Sequence, residues 1–430
     1  MKIVVLGGGP AGLYCGLLLK KADPARTVII LERNAPDATY GWGVVFSDRT
    51  LASFREADLK TYREITDHFV LWDAIDVRYH EALLRCGGHV FAGIPRKLLL
   101  GILQRRCAEL GVEVRYRTEV DELDQLGACD LLIAADGLNS LVRTTYAEVF
   151  APRIALGRAK YIWLGTNMVL DAFTFIFREN QHGFFQVHAY PFGGTTSTFI
   201  VECDETTWQR AGLDQADEAA SIAYCEALFA PELGGSRLFS NNSKWISFGT
   251  VKNRTWRHGN IVLLGDAAHT AHFSIGSGTK LAMEDAIALA GALEQHGAIA
   301  RALSEYELER RPVVEALQEA ARESREYFER VGAYGHLAPE QFTFHLLTRS
   351  GRISYDDLRV RDARFVARVD RWFAAHAARG VDGVAAPAAA RLVVAPPLFA
   401  PLRLRAATLV NRVALEAPAY ESATDGTIGA

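Results

Sequence analysis

The stretch from Lys2 to Glu32 leaves the chain few choices. Ile3-Val4-Val5-Leu6 is an apolar run fit for a buried strand, and Gly7-Gly8-Gly9-Pro10-Ala11-Gly12 follows at once. A helical pattern begins at Leu13, and a second apolar run, Thr27 to Leu31, ends in Glu32. Strand, Gly-rich turn, helix, strand and acid in this order make a dinucleotide-binding unit. Gly7 allows the tight turn, Gly9 lets backbone approach a pyrophosphate, and Gly12 lets the helix pack close on the strand. Pro10 and Ala11 open that helix, whose free N–H groups and positive dipole end favour phosphate. Glu32, with Arg33 after it, stands 20 residues beyond Gly12, where a carboxylate can accept from a ribose 2′-hydroxyl.

The chain has 430 residues, 49% of them hydrophobic and 23% charged, which leaves room for two ordinary globular domains. The net charge of −4, with no run of Lys or Arg, gives no electrostatic footprint for nucleic acid. Six scattered cysteines without CxxC spacing argue against a zinc site or disulfide framework and fit a reducing cytosol. No metal site is expected. The first strand begins at Lys2, so no signal peptide is expected, and no apolar run approaches the ~20 residues of a membrane span. The expected location is the cytoplasm, away from the membrane.

Further along, Gly41-Trp42-Gly43-Val44 is a Gly-punctuated segment that could let backbone pass close to a flat ring system. Residues 74–91 read as strand pairs broken by Gly87-Gly88. Pro95 then opens a helix ending near Gly111, with Arg96 at its start. Arg96 is a candidate for a phosphate or adenine edge. A buried-strand run, Leu131 to Ala135, ends in Asp136-Gly137. From about Ala151 the sequence turns aromatic and β-branched in four runs, 161–170, 173–178, 183–192 and 196–202, which read as antiparallel sheet. In the third run Phe184, Gln186, His188, Tyr190 and Phe192 share one face by period 2, a mixed face suited to an aromatic ligand. A helix near 216–229 and a strand near 244–250 complete this insertion. Asn260 to Leu264 is again a buried strand, ending at Gly265-Asp266 and running through Gly276, Gly278 and Thr279 into a helix. Long polar helices are expected at 301–330 and 356–378, and Ala- and Pro-rich sequence follows Gly383.

Three stations, Gly7-x-Gly9-x-x-Gly12 with Glu32, Asp136-Gly137, and Gly265-Asp266-Ala267-Ala268-His269 with Gly276 to Ala286, together resemble the single-component FAD-dependent aromatic hydroxylases of the p-hydroxybenzoate hydroxylase type. In that family the first station binds the ADP half of FAD, the second supports FAD and NAD(P)H, and the third holds the ribityl chain through its Asp. The family has prolines two and three residues past the position of Thr270, where this chain has His272 and Phe273. Gly41 to Asp48, Gly93 to Lys97 and His272 to Lys280 are similar to the branch acting on aromatic acyl-CoA thioesters, salicylyl-CoA and 2-aminobenzoyl-CoA. That branch often carries a reductase barrel after the hydroxylase, and Pro397 to Leu404 with Leu409 to Ala414 resemble its opening.

The resemblance implies an α/β fold: a Rossmann-like FAD domain with an inserted, mainly antiparallel sheet domain and a helical C-terminal region. The expected boundaries are 1–155 with 256–330 for the FAD domain and 156–255 for the substrate sheet, with strands near 74–91 joining the substrate side. Helices follow over 331–383, and a linker with a truncated barrel-like stub over 384–430. The implied activity is NAD(P)H- and O2-dependent hydroxylation of an aromatic acyl-CoA, salicylyl-CoA at ring position 5 or alternatively 2-aminobenzoyl-CoA, through a flavin C4a-hydroperoxide. FAD is bound non-covalently and NADH or NADPH transiently, because only one dinucleotide unit is present. A homodimer is compatible with the reading. His188 and Tyr190, from the mixed face, and His272, on the loop beside the flavin, are the catalytic candidates. Arg158, Lys160, Lys244, Lys252 and Arg254 are candidate cations for CoA phosphates. No WxWxIP-type halogenase signature is present; Trp163 stands alone. A non-hydroxylating flavin reductase remains the other class.

Overall fold

A computed structural model describes residues 1–39, 41–47, 51–276 and 278–377, and the short strands Leu402–Leu404 and Ala407–Leu409. By contact density the chain divides into Met1–Ser354 and Tyr355–Ala430.

The first unit is built on the opening strand. Lys2–Leu6 lies at the centre of a six-stranded sheet, paired in parallel with Thr27–Leu31 on one side and Leu131–Ala134 on the other. Glu113–Arg115 extends one side and Ile261–Leu263 the other, both in parallel, and Arg257–His258 closes the edge antiparallel. These strands are nearly continuous runs of Val, Ile and Leu because helices cover both faces of a parallel sheet. Helix Pro10–Ala22 packs against Gly278–Gln295 and Arg96–Leu110. All five parallel strands point the same way, so the loops after Leu6, Ala134 and Leu263 gather at one edge. That edge is where ligands bind in open α/β sheets.

The second layer is a seven-stranded sheet. Its order runs Leu238–Phe239, Ala159–Thr166, Thr196–Asp204, Gly183–Gly193, Phe173–Asn180, Ile75–Tyr79 and Ala82–Cys86. The strand pairs read over 74–91 are divided between two sheets. Ile75–Tyr79 and Ala82–Cys86 form a hairpin turning at His80, whose φ is +51°, and they join this sheet beside Phe173–Asn180. Phe91–Pro95 instead lies between Gly43–Ser47 and Val70–Trp72 in a separate three-stranded sheet. The strand expected at 244–250 is Gly249–Lys252, paired with Arg153–Leu156; Ile246 contributes only an isolated bridge to Tyr161.

One face of the large sheet carries Phe185, Val187, Phe199 and Val201, which pack on Cys225 and Phe229 in a dry core. The other face carries His188, Tyr190 and Glu202 and is also closed from solvent. Helix Ile299–Glu329 runs through Pro312 to deliver Ser324 and Phe328 beside this second face. Helix Pro339–Thr348 also belongs to the first unit.

In the second unit, the helix expected over 356–378 is two: Tyr355–Arg361 and Ala363–Ala377, joined at Asp362, whose Oδ1 accepts from the N–H groups of Arg364 and Phe365. Leu402–Leu404 and Ala407–Leu409 form an antiparallel pair. The rest of the expected stub over 384–430 lies outside the described residues. Among the described residues no helix is long and apolar enough to cross a membrane.

Candidate active site

The Gly-rich turn sits where Lys2–Leu6 ends. Gly7 has φ +107°, and a Cβ there would lie 2.3 Å from the Ala135 carbonyl oxygen. At Gly12 it would lie 2.0 Å from the Gly7 oxygen, so the helix crosses the turn too closely for any side chain. Gly9 is different: nothing lies within 4 Å of its missing Cβ. Its emptiness opens on space in front of the first helix. Glu32 ties the turn to the second strand, its Oε2 accepting from Gly8 N–H at 2.7 Å and its Oε1 from the Asn34 backbone and side-chain amides at 2.8 and 2.7 Å.

Two cavities meet at Gly9, Arg96 and Gly137. The smaller, about 320 Å³, is lined by Gly7, Glu32, Arg33, Asp136 and Asn139. The larger, about 440 Å³, runs from Gly9, Pro10 and Ala11 past Gly43, Val44, Asp266, Gly276, Gly278 and Thr279 to the antiparallel sheet. There its wall is aromatic: Tyr161, Trp163, Phe173, Tyr190, Phe248 and Phe273, with His188 among them. Arg96 faces both cavities from the start of its helix, where its backbone N–H donates to the Trp42 carbonyl at 2.8 Å. Burial pulls the Arg96 pKa down, against the attraction of Asp266 and Tyr190.

The loops that bring these groups together are locked by buried polar contacts. Asp136 Oδ2 accepts from the N–H groups of Leu141 and Val142, at 2.7 and 3.4 Å, while Oδ1 is buried with no partner. Arg143, 2% exposed, reaches from this loop to the Ala267 carbonyl at 3.0 Å and also donates to Leu138 O. The Gly265–His272 loop is braced from behind by His269 Nε2 on Asp285 Oδ2 at 2.7 Å and Arg310 Nε on Asp285 Oδ1 at 2.8 Å. A Cβ on Gly265 would lie 3.0 Å from that of Ala11 and 3.3 Å from that of Ala282, so the first and third stations lie side by side.

These features fit a flavin dinucleotide. The open cradle at Gly9, an unpartnered carboxylate oxygen at Asp136 and a cavity leading from one to a flat aromatic chamber match a diphosphate with a planar head. Trp42 lies elsewhere. Its ring packs over Gly165 between Phe192 and Phe239 and lines neither cavity. The flat ring that Gly41 admits is the protein's own Trp163, about 2.9 Å from where a Cβ would be.

The three catalytic candidates separate. Tyr190 donates its hydroxyl to the Gly43 carbonyl at 2.9 Å, and burial pushes its pKa up to about 12. His272 is buried behind Phe273 and does not line the cavity; burial lowers its pKa to about 3. His188 lines the cavity and sits 2.9 Å, through Nε2, from Glu202 Oε2. Burial of Glu202 works to raise its pKa, but the His188 hydrogen bond and the nearby His272 outweigh it and hold it low. Burial lowers His188 despite that carboxylate. The pair is therefore a neutral imidazole donating to an ionised carboxylate. That arrangement puts the proton on Nε2 and leaves Nδ1 an acceptor, itself buried and without a hydrogen-bond partner.

Glu202 was not foreseen, although an acid in the apolar run Phe199-Ile200-Val201-Glu202-Cys203 at the inward position was a visible signal. Among the candidate cations, Lys160 pairs with Glu205 at 3.3 Å, and Arg254 donates to the Glu148 and Val149 carbonyls at 2.8 Å.

Fold and site together define an FAD-dependent aromatic monooxygenase. The chain belongs to the FAD binding domain family, whose model matches residues 1–321. It is 46% identical over 387 residues to salicyloyl-CoA 5-hydroxylase of a Streptomyces species, covering 87% of this chain and 74% of that one. It is 38% identical over 358 residues to 3-hydroxy-4-methyl-anthranilyl-[aryl-carrier protein] 5-monooxygenase of Streptosporangium sibiricum, covering 83% and 97%. Among solved structures, 2-methyl-3-hydroxypyridine-5-carboxylic acid oxygenase superposes with a TM-score of 0.66 at 19% identity, covering 84% of this chain and 97% of that one. NAD(P)H is the usual reductant of such enzymes.

Proposed function

We propose that the enzyme hydroxylates an aromatic acyl thioester, with salicylyl-CoA, attacked at ring position 5 to give gentisyl-CoA, as the first choice. The names of the two relatives support this. Each gives an aromatic acid joined to a carrier, CoA in one and an aryl-carrier protein in the other, and a reaction at position 5. The observation that carries the reading is the cavity joining the Gly9 cradle to an aromatic chamber with the His188 imidazole in its wall.

In this reading the smaller cavity takes the adenosine half of FAD, with Glu32 and Arg33 at the ribose. Gly9, Pro10 and Arg96 face the diphosphate, and Asp266 the ribityl chain. Gly43, Val44, Gly276, Gly278 and Thr279 border the ring. Bound FAD, reduced by NADH or NADPH, supplies the activation of O2. The protein's part is placement and proton handling. Tyr161, Trp163, Phe173 and Phe248 flank the substrate ring and exclude water. His188 Nδ1 accepts the hydrogen bond of the ring hydroxyl, drawing electron density into the carbon para to it. In salicylyl-CoA that carbon is position 5. As the oxygen is transferred His188 takes the hydroxyl proton, and it returns that proton to the same oxygen while the attacked carbon gives up its own hydrogen to solvent and the ring regains aromaticity.

The test is NAD(P)H and O2 consumption, with product mass, for salicylyl-CoA, 2-aminobenzoyl-CoA and the free acids. Salicylyl-CoA is expected to give coupled turnover and a product one oxygen atom heavier. Equal hydroxylation of free salicylate would defeat the thioester reading. Coupled turnover on 2-aminobenzoyl-CoA alone would move the substrate to the amino acid ester.

A further inference from the structure

A carboxylate at 0% exposure in the middle of a β-sheet is costly unless its oxygens are satisfied. Glu202 is such a group, and the side chains behind it explain how it is kept. Arg349 Nε lies 2.8 Å from Ser324 Oγ, which lies 2.8 Å from Ser274 Oγ, which lies 2.9 Å from His272 Nδ1. His272 Nε2 in turn lies 3.7 Å from Glu202 Oε1.

The ends of this chain fix the direction of every hydrogen bond. His272 Nδ1 receives the Ser274 backbone N–H at 3.3 Å and is therefore an acceptor, so Ser274 Oγ donates to it as well. With the Ser274 proton so used, Ser324, which accepts from Arg349, donates to Ser274. His272 Nδ1 is therefore bare, and its proton sits on Nε2, facing Glu202. All the donors point toward one carboxylate, with a cation at the far end. Yet the last step is long, and Glu202 Oε1 has no hydrogen bond at ordinary distance. The short contact of Glu202 is with His188 Nε2, at 2.9 Å.

We propose that Glu202 is a positioning residue of this enzyme: it locks His188 in the Nε2–H tautomer, leaves Nδ1 as the acceptor for the substrate hydroxyl, and stabilises the imidazolium formed when that proton moves. The inference rests on the His188 reading above and adds what makes that imidazole competent. A neutral imidazole with no such partner divides its proton between two nitrogens, and part of the population would present a donor to a phenol that needs an acceptor. The burial of Glu202 also matters: with no water around it, the carboxylate attracts a positive charge formed on His188 more strongly than an exposed one would.

The experiment uses the FAD-loaded enzyme and four forms: wild type, Glu202→Gln, His188→Gln and the double variant. In Glu202→Gln, hydroxylation turnover is expected to fall by about 10²-fold or more, as for groups serving a general base. FAD content should be unchanged, and KM for the thioester should stay within about threefold, because the loss lies in the transition state. Glu202→Asp, which keeps the charge, should recover part of the rate. The double variant should be no slower than His188→Gln alone, since Glu202 acts only through His188. Additive losses, or a Glu202→Gln enzyme with lowered melting temperature and normal turnover, would overturn the proposal. If His188→Gln is itself unimpaired, the His188 reading falls; if it is slow while Glu202→Gln is normal, only the present inference falls. Should Glu202→Gln fail to fold, ¹⁵N spectra of the imidazoles in wild-type holoenzyme decide the matter. A protonated Nε2 and bare Nδ1 at His188 support it, and the opposite tautomer refutes it.

Discussion

The two halves of the cavity are made of different materials. On the nucleotide side the working surface is backbone: an empty cradle at Gly9, the N-terminus of the first helix, and turns tight enough that Gly7 and Gly12 admit no side chain. On the sheet side the surface is side chain, with aromatic walls and a His188–Glu202 pair whose members come from neighbouring strands. In the proposed reading the nucleotide side holds a diphosphate and ribose that are the same whatever the substrate, so glycines at fixed spacing with a few polar side chains are enough. The sheet side must suit one substrate, and does so through residues that only strand register brings together.

The sharpest test of this contrast sets two glycines of one motif against each other. Gly9→Val should leave the fold intact, since its side chain meets nothing within 4 Å, yet abolish FAD binding by filling the cradle. Gly12→Ala should do the reverse. A single methyl placed 2.0 Å from the Gly7 oxygen forces helix and strand apart, and soluble folded protein should be largely lost. Flavin absorbance and circular dichroism of both variants check this. A yellow Gly9→Val protein would mean that the diphosphate runs elsewhere.

The same contrast explains what the sequence disclosed. Gly7, Gly9, Gly12 and Glu32 lie within one short segment whose local order dictates its own shape, so the parallel sheet and the cradle were legible. Asp136-Gly137 and Gly265-Asp266 were legible too, because a buried strand ending in Gly or Asp repeats the same physics at the same sheet edge. The mixed face of 183–192 was legible from alternation alone. Its partners were not. Glu202 meets His188 because Ile200 is the residue paired with His188, two places before Glu202, and register is invisible in a single strand. Arg349 and Ser324 arrive from helical sequence more than a hundred residues later, with nothing local to mark them. Trp42 was misplaced for the converse reason. Its flanking glycines do admit aromatic rings, but rings of the protein itself, Trp163 at Gly41 and Phe192 at Gly43, take that space.

A smaller effect separates the two polar groups on the chamber wall. Tyr190→Phe removes the donor to the Gly43 carbonyl, an interaction worth about 1 kcal/mol. With its hydroxyl engaged and its pKa pushed to about 12, Tyr190 holds a strand and does not take a proton. Turnover of the variant should fall less than about tenfold, within what a slight shift of the ring-binding segment costs. A loss as deep as that of His188→Gln would make Tyr190 the proton acceptor, and the side-chain half of the site would have to be reassigned.

The smallest expected effect lies on the nucleotide side, at a side chain away from both cavities that is predicted to serve stability alone. Asp58 caps helix Leu59–Thr66 and receives Arg106 Nε and Nη2 at 2.9 and 3.0 Å. Burial works against its charge, but the Arg106 and Thr61 hydrogen bonds outweigh it and bring the pKa from 3.8 to about 2. Because the folded value lies below the unfolded one, the stabilisation is present above pH ~4 and is lost as pH falls toward 2. A shift of that size corresponds to about 2 kcal/mol. At pH 7 the Asp58→Asn variant should melt several degrees below wild type, with normal FAD content and turnover per flavin. The difference should narrow as pH drops from 4 toward 3, because the wild-type carboxylate is then losing its advantage. A gap that stays constant over that range would show that Asp58 acts through shape and not charge. Loss of flavin in the variant would break the comparison itself, since a side chain remote from both cavities would then govern the backbone-built half.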